Sequence, residues 1–163
     1  MKSIIIYYSL SGNCTLVANI LKTYLGADVL EIKTAESKKR TGFGLYFWGG
    51  SQVFMKKKPA LKPYTVNIEK YDLVIFGTPV WAGSPAPALV SFLKNTKING
   101  KKIALFCCHG GGIGKAMQKF KALLPENTVI GEIDFKIPAR AEGAELEQKI
   151  GEWVKLLTKN IAP

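Results

Sequence analysis

Five apolar stretches alternate with segments whose apolar residues recur every three to four positions. The stretches are residues 2–8, 28–33, 72–77, 101–108 and 127–136. Ile4-Ile5-Ile6, Leu73-Val74-Ile75-Phe76 and Ile103-Ala104-Leu105-Phe106 are unbroken apolar runs, the pattern of strands covered on both faces. Asp28-Val29-Leu30-Glu31-Ile32-Lys33 and Ile130-Gly131-Glu132-Ile133-Asp134-Phe135-Lys136 carry polar residues inside the run and read as edge strands. Helical spacing joins Val17, Ile20, Leu21 and Tyr24, with Gly26 as a stop. It also joins Ile113, Met117, Phe120 and Leu124, and then Leu146, Ile150, Trp153, Leu157 and Ile161. Regular alternation of strand and helix predicts an α/β fold, a three-layer, doubly wound, five-stranded parallel sheet. With the second and fifth strands outermost the order is 2-1-3-4-5, and right-handed crossovers place helices on both faces. In that order the winding reverses between strands one and three, and ligands bind outside the carboxyl ends at that point.

The loop after the first strand falls there. Between Tyr8 and the first helix sit Ser9, Ser11, Gly12, Asn13, Cys14 and Thr15, small residues rich in hydroxyls at the positive end of a helix dipole. A terminal phosphate fits such a turn, held by neutral donors because no lysine or arginine lies in it. The same residues are ordinary helix caps, so the turn by itself leaves both readings open.

The third strand runs into Gly77-Thr78-Pro79-Val80-Trp81-Ala82-Gly83-Ser84-Pro85-Ala86-Pro87, a stiff loop that ends with Pro85 or Pro87 near a helix start. The fourth strand ends in Cys107-Cys108-His109-Gly110-Gly111-Gly112-Ile113-Gly114-Lys115. This is not a Walker loop, because His109 stands at the first glycine position and Ala116 follows Lys115. A Gly-x-Gly-x-x-Gly fingerprint from Gly110 fails at Lys115. Phosphatase chemistry of the Cys-x5-Arg type fails as well, since Ile20 occupies the arginine position.

Ser9-Leu10-Ser11-Gly12-Asn13-Cys14-Thr15 resembles the phosphate loop of the flavodoxins, usually Thr/Ser-x-Thr/Ser-Gly-Asn-Thr, with Cys14 in place of threonine. The loop after the third strand resembles the flavodoxin segment that wraps the isoalloxazine, and the glycine-rich loop resembles the third, often Thr-Ser-Gly-Gly. The resemblance implies a flavodoxin-like domain holding FMN without a covalent bond. The phosphate would lie on Ser9, Ser11, Gly12, Asn13, Cys14 and Thr15. The ring would lie between Thr78, Pro79, Val80, Trp81, Ala82 and Gly83 on one side and Cys108, His109, Gly110, Gly111 and Gly112 on the other. Trp81 would stack on the ring, the alternative being a hydrophobic anchor for its loop. Gly83 would let a peptide turn over beside the flavin N5. A protonated His109 beside N1 and O2 would stabilise the reduced flavin, whereas a solvent-facing histidine would do nothing of the kind. Cys107 reads as a core residue.

The implied activity is electron transfer of one or two electrons, the flavin carrying the chemistry with no catalytic acid or base. The alternative is an NAD(P)H-dependent FMN reductase of quinones or similar acceptors, an enzyme rather than a carrier.

Charge complicates the picture. The net charge is +11 over 163 residues, and residues 37–68 hold seven basic side chains with no acidic one. Flavodoxins that act as carriers are generally acidic. The lysines would suit an acidic redox partner protein or a phosphorylated nicotinamide nucleotide. Residues 37–66 form an insertion in a single domain spanning 1–163, where Phe43, Tyr46, Phe47, Trp48, Phe54 and Tyr64 interleave with cations. A crossover helix through residues 46–57 covering the sheet is the default reading, with Tyr46, Phe47 or Trp48 near the ring. Nucleic-acid binding is the competing use of such a segment, and no DNA or RNA partner is expected.

Three cysteines and one histidine make neither a disulfide framework nor a metal site. No apolar run approaches the roughly 20 residues of a membrane span, and no signal-peptide core is present, so a cytoplasmic protein is expected. Monomer and homodimer are equally compatible with the sequence.

Overall fold

All six residues of β1 (Ser3–Tyr8) are buried, the mark of a strand inside the sheet. Its alternating side chains serve two separate cores: Ile4, Ile6 and Tyr8 on one face, Ile5 and Tyr7 on the other. The computed structural model describes residues 1–35, 58–140 and 143–161. The remaining elements are α1 (Asn13–Leu25), β2 (Asp28–Ile32), β3 (Leu73–Trp81), β4 (Ser84–Pro85), α2 (Pro87–Asn95), β5 (Lys102–His109), α3 (Ala116–Ala122), β6 (Thr128–Lys136) and α4 (Gly143–Ile161). The sheet order is β2-β1-β3-β5-β6, with the two-residue β4 attached to β3. All principal pairs are parallel. The sequence-derived order therefore holds, with the two polar-patterned strands at the edges.

The helices divide as right-handed crossovers require. Cys14, Val17 and Leu21 of α1 join Leu146, Ile150, Trp153 and Leu157 of α4 in one core. Leu89 and Phe92 of α2 join Met117 and Phe120 of α3 in the other. Fully burying each such side chain is worth roughly 1.5–3 kcal/mol. Pro87 opens α2 at a position where its missing N–H costs nothing. Tyr24, expected on the apolar stripe of α1, is instead half exposed, its hydroxyl 3.5 Å from the Glu147 carbonyl and its ring against Gly151.

Two features depart from the sequence expectation. β3 continues past 77 to Trp81, because β4 folds back on it with Trp81 opposite Ser84 and Val80 opposite Pro85. The two residues between, Ala82 (φ 47°) and Gly83 (φ 63°), have the pair of positive φ values of a type I′ hairpin. No Asn-Gly or Asp-Gly announced it. At the other edge, Thr34 pairs with Leu61, and Ala35 and Lys62 donate to the carbonyls of Ala60 and Lys33, each at 2.8 Å. The chain leaving β2 and the chain returning at residue 60 thus lie side by side. The helix anticipated over residues 46–57, with Tyr46, Phe47 and Trp48, falls outside the described residues.

One glycine is fixed by packing. Gly77 sits opposite Phe106 of β5, and a Cβ at 77 would collide with that ring. The absent side chain is what lets the Phe106 ring lie flat across the central strands.

Candidate functional site

Three strand ends converge at the carboxyl edge of the sheet. β1 delivers Ser9, Leu10, Ser11, Asn13 and Cys14, β3 delivers Pro79, Val80, Trp81 and Ala82, and β5 delivers Cys108, His109 and Gly110. With Ile137 they line a cleft of about 160 Å³. That is smaller than a chamber enclosing a whole drug-sized ligand, so a ligand seated there keeps part of its surface in solvent.

The first loop is shaped to present backbone donors. Gly12 is the N-cap of α1 at φ 87°, and no side chain caps the helix. The first intrahelical bond runs from Leu16 N to Gly12 O at 2.9 Å, and no acidic residue lies in the first turn. Amides at the start of α1 therefore keep their partial positive charge. Thr15 N makes only a long contact, 3.4 Å, to Ser9 Oγ. Asn13 is a tie: its Nδ2 donates to Ser11 Oγ at 2.9 Å, and its Oδ1 accepts from Ala139 N at 3.1 Å. It thereby joins the first loop to the 3₁₀ turn Pro138–Arg140 that follows β6.

Cys14 and Thr15 turn their side chains inward. Cys14 is 1% exposed, and burial pushes its thiol well above the usual range, helped by a hydrogen bond with the Cys108 thiol. Cys14 therefore offers a ligand its backbone rather than its sulfur. The Thr15 hydroxyl bonds the Tyr7 phenol, partly opposing the upward shift that burial gives Tyr7. Cys107 points into the core as expected, its thiol pushed up to about 12 chiefly by burial.

The second loop is braced from below. Thr78 is fully buried; its Oγ1 accepts from Ala86 N at 2.9 Å and donates to the Pro79 carbonyl at 3.1 Å. Trp81 is half-buried and meets Tyr8 edge to face, with ring centroids 5.8 Å apart and planes at 86°. Burial alone raises the Tyr8 phenol to about 12, so it stays neutral under this contact. Beyond the hairpin, Gly83 approaches the third loop, where a Cβ on Gly114 would stand 3.3 Å from the Gly83 Cα. Lys119 Nζ donates to Ser84 Oγ, tying α3 to the same hairpin.

On the third loop the imidazole of His109 is 8% exposed, and its Nε2 lies 2.9 Å from Asp134 Oδ2 on β6. Its Nδ1 is buried with no partner among the described residues.

Of the residues singled out from sequence, Gly12, Thr15, Thr78, Gly83, Gly111 and Gly112 shape the loops without lining the cleft. Leu10 and Ile137 line it and were missed. From sequence, Asp134 reads only as an edge-strand polar residue. Its register, diagonal to His109 across β5 and β6, carries no sequence signal. Ile137 (φ 43°) and Ala82 are the two non-glycine residues at positive φ among those described, and both line the cleft. Left-handed backbone in a β-branched residue is costly and collects at binding sites.

A flavodoxin family model matches residues 2–156. The chain belongs to the flavodoxin family. Among solved structures, it is 25% identical to a Bacteroides eggerthii protein, with TM-score 0.78 and coverage of 96% of this chain and 98% of that one. It is 22% identical to a flavoprotein of Lactobacillus acidophilus solved in complex with FMN, with TM-score 0.73 and coverage of 94% and 98%. It is 17% identical to oxidised flavodoxin 2 of Bacillus cereus, with TM-score 0.64 and coverage of 98% and 99%. None of the curated proteins matches the sequence significantly. Among the described residues of this flavodoxin, no helix is long and apolar enough to cross a membrane, and no His, Cys, Asp and Glu cluster is placed to hold a metal ion.

Proposed function

We propose that the cleft binds FMN and that the protein passes one or two electrons through it to a partner protein. The observation that carries this reading is the convergence of three loops, from β1, β3 and β5, on one cleft at the reversal point of a flavodoxin sheet. The uncapped, acid-free start of α1 fits a phosphate, on residues 9–15. Trp81 fits a ring face, with residues 78–83 and 108–112 on either side. FMN supplies the redox chemistry when bound, and the chain supplies position, exclusion of water and electrostatics.

The rim supports an acidic redox partner. Lys115, Lys136 and Arg140 are exposed and have no carboxylate partner among the described residues. Asp134, Glu132 and Glu31 are each matched, by His109, Lys121 and Lys33. A cationic rim accelerates encounter with an anionic surface and loses that advantage as salt rises.

The deciding experiment is titration of the protein with FMN while flavin fluorescence is followed, together with the visible spectrum of the purified protein. Stoichiometric quenching at micromolar concentration is expected, and no binding in that range would end this reading. The same rim would also attract a phosphorylated nicotinamide. Rapid mixing of the FMN-loaded protein with NADPH separates the two roles: a carrier leaves the flavin oxidised, whereas a reductase bleaches it within the enzyme's turnover time.

A further inference from the structure

His109 is built into the cleft in an unusual way. A carboxylate only accepts, so Asp134 Oδ2 at 2.9 Å requires a proton on Nε2 whether the imidazole is neutral or charged. Nδ1 is then a lone pair in the neutral ring and a donor in the charged one. That nitrogen is buried without a partner among the described residues, on a side chain 8% exposed that lines the cleft. Leaving a buried polar atom unpaired costs about 1–3 kcal/mol, and such atoms persist where a ligand or a reaction uses them. The surroundings hold the pair in place. The His109 carbonyl accepts from Ile137 N at 2.9 Å, and Lys149 Nζ donates to the Asp134 carbonyl at 2.8 Å.

We propose that His109 is the proton-holding residue of the site and Asp134 its positioning partner: Nδ1 takes up a solvent proton when the bound FMN is reduced and releases it on reoxidation. This rests on the FMN reading above. The balance is two electrons from the reductant and two protons from solvent, one ending on the cofactor and one on Nδ1. Both protons leave as the two electrons pass to the acceptor. An imidazolium in the cleft wall would offset the negative charge that reduction leaves on bound FMN, and Asp134 compensates its Nε2 end. The ionisable groups on the elements around it are Glu132, Asp134 and Lys136 of β6, Cys107 and Cys108 of β5 itself, Lys115 just before α3, Cys14 of α1, Lys149 of α4 and Arg140 of the following turn. Lys115, Lys136, Lys149 and Arg140 disfavour a charged imidazole, Glu132 is taken up by Lys121 and Cys14 is neutral. Asp134 is the carboxylate in contact with the ring and offsets them.

His109 is the single histidine of the chain, so its Cε1 proton is an unambiguous NMR probe. Wild type is loaded with FMN, loading is verified by fluorescence quenching, and the resonance is titrated with pH, first oxidised and then after dithionite reduction. The midpoint is expected to move to higher pH on reduction by about one unit or more, a tenfold gain in proton affinity. Linkage then requires the ratio of affinities for reduced and oxidised FMN to vary tenfold per pH unit more steeply in wild type than in His109→Gln across that window. Asp134→Asn should bind oxidised FMN and lose most of the shift. Bound FMN with the same midpoint in both redox states overturns the inference while leaving the FMN site intact. Absence of quenching by wild type removes the FMN site and the inference together. The wild-type comparison stands even where a variant fails to fold.

Discussion

Tyr8 and Trp81 meet edge to face at the carboxyl ends of neighbouring parallel strands, their ring planes at 86°. The buried Tyr8 ring fixes the tilt of the indole and leaves Trp81 half-buried on the cleft wall. An aromatic pair of this geometry is worth about 0.5–1.5 kcal/mol beyond its buried area. A ligand ring stacked on Trp81 gains a comparable amount. Trp81→Ala should therefore raise the Kd for FMN about tenfold, measured by fluorescence titration, while Trp81→Phe retains most of the affinity. An unchanged Kd in Trp81→Ala would assign the indole to anchoring its loop.

Ala82 offers a test that needs no ligand. Its φ of 47° is strained for a residue with a Cβ, and glycine or asparagine adopts it freely. Ala82→Gly should stabilise the protein by up to about 1 kcal/mol, because the roughly 1–2 kcal/mol of left-handed strain it relieves exceeds the roughly 0.5–1 kcal/mol of freedom glycine adds to the unfolded chain. Ala82→Asn avoids most of that freedom and should give the larger gain. Denaturant midpoints for both variants settle the order.

Thr78→Val keeps the volume of the buried side chain and removes the acceptor for Ala86 N. The orphaned amide should cost about 1–3 kcal/mol. FMN affinity should fall with it, because Thr78 holds the segment that carries Pro79 through Trp81.

Stability at alkaline pH follows from buried acids, Cys107 and Tyr8 among them. Burial pushes the Cys107 thiol and the Tyr8 phenol up to about 12 in the fold, from ordinary values of 9.0 and 10.0. Above those lower values the unfolded chain loses protons that the fold still holds, so stability falls as pH rises. The decline begins near pH 9 and ends near 12. Each group contributes at most about 1.4 kcal/mol per pH unit. Urea unfolding across this range should show the fall, and Cys107→Ala should make it shallower. In the folded protein at pH 8, Cys14 and Cys107 should resist a thiol reagent that labels them after unfolding.

Strand identity and order were readable because burial on both faces leaves a different pattern from burial on one. Ile4-Ile5-Ile6 and Asp28-Val29-Leu30-Glu31 differ in a way that places one strand inside the sheet and the other at its edge. The three loops were readable because glycine, proline and hydroxyl residues mark turns. What escaped were features set by tertiary register. The β3–β4 hairpin uses Ala82 where the favoured residue is asparagine, so its local signal is weak. Ile137 enters the cleft only because β6 ends beside His109. Asp134 and His109 lie 25 residues apart and meet across two strands, a relation no local pattern encodes.

The pairing of Thr34 with Leu61 holds together the two ends of the stretch between them. Those ends lie side by side, clamped by hydrogen bonds at 2.8 Å. Loop length weighs on closure only logarithmically. A longer or shorter connection between Thr34 and Leu61 therefore changes the cost of closing it by only a few tenths of a kcal/mol, about 0.6 kcal/mol for a doubling. Chain length at this edge of the sheet is weakly constrained by the strands that hold its two ends.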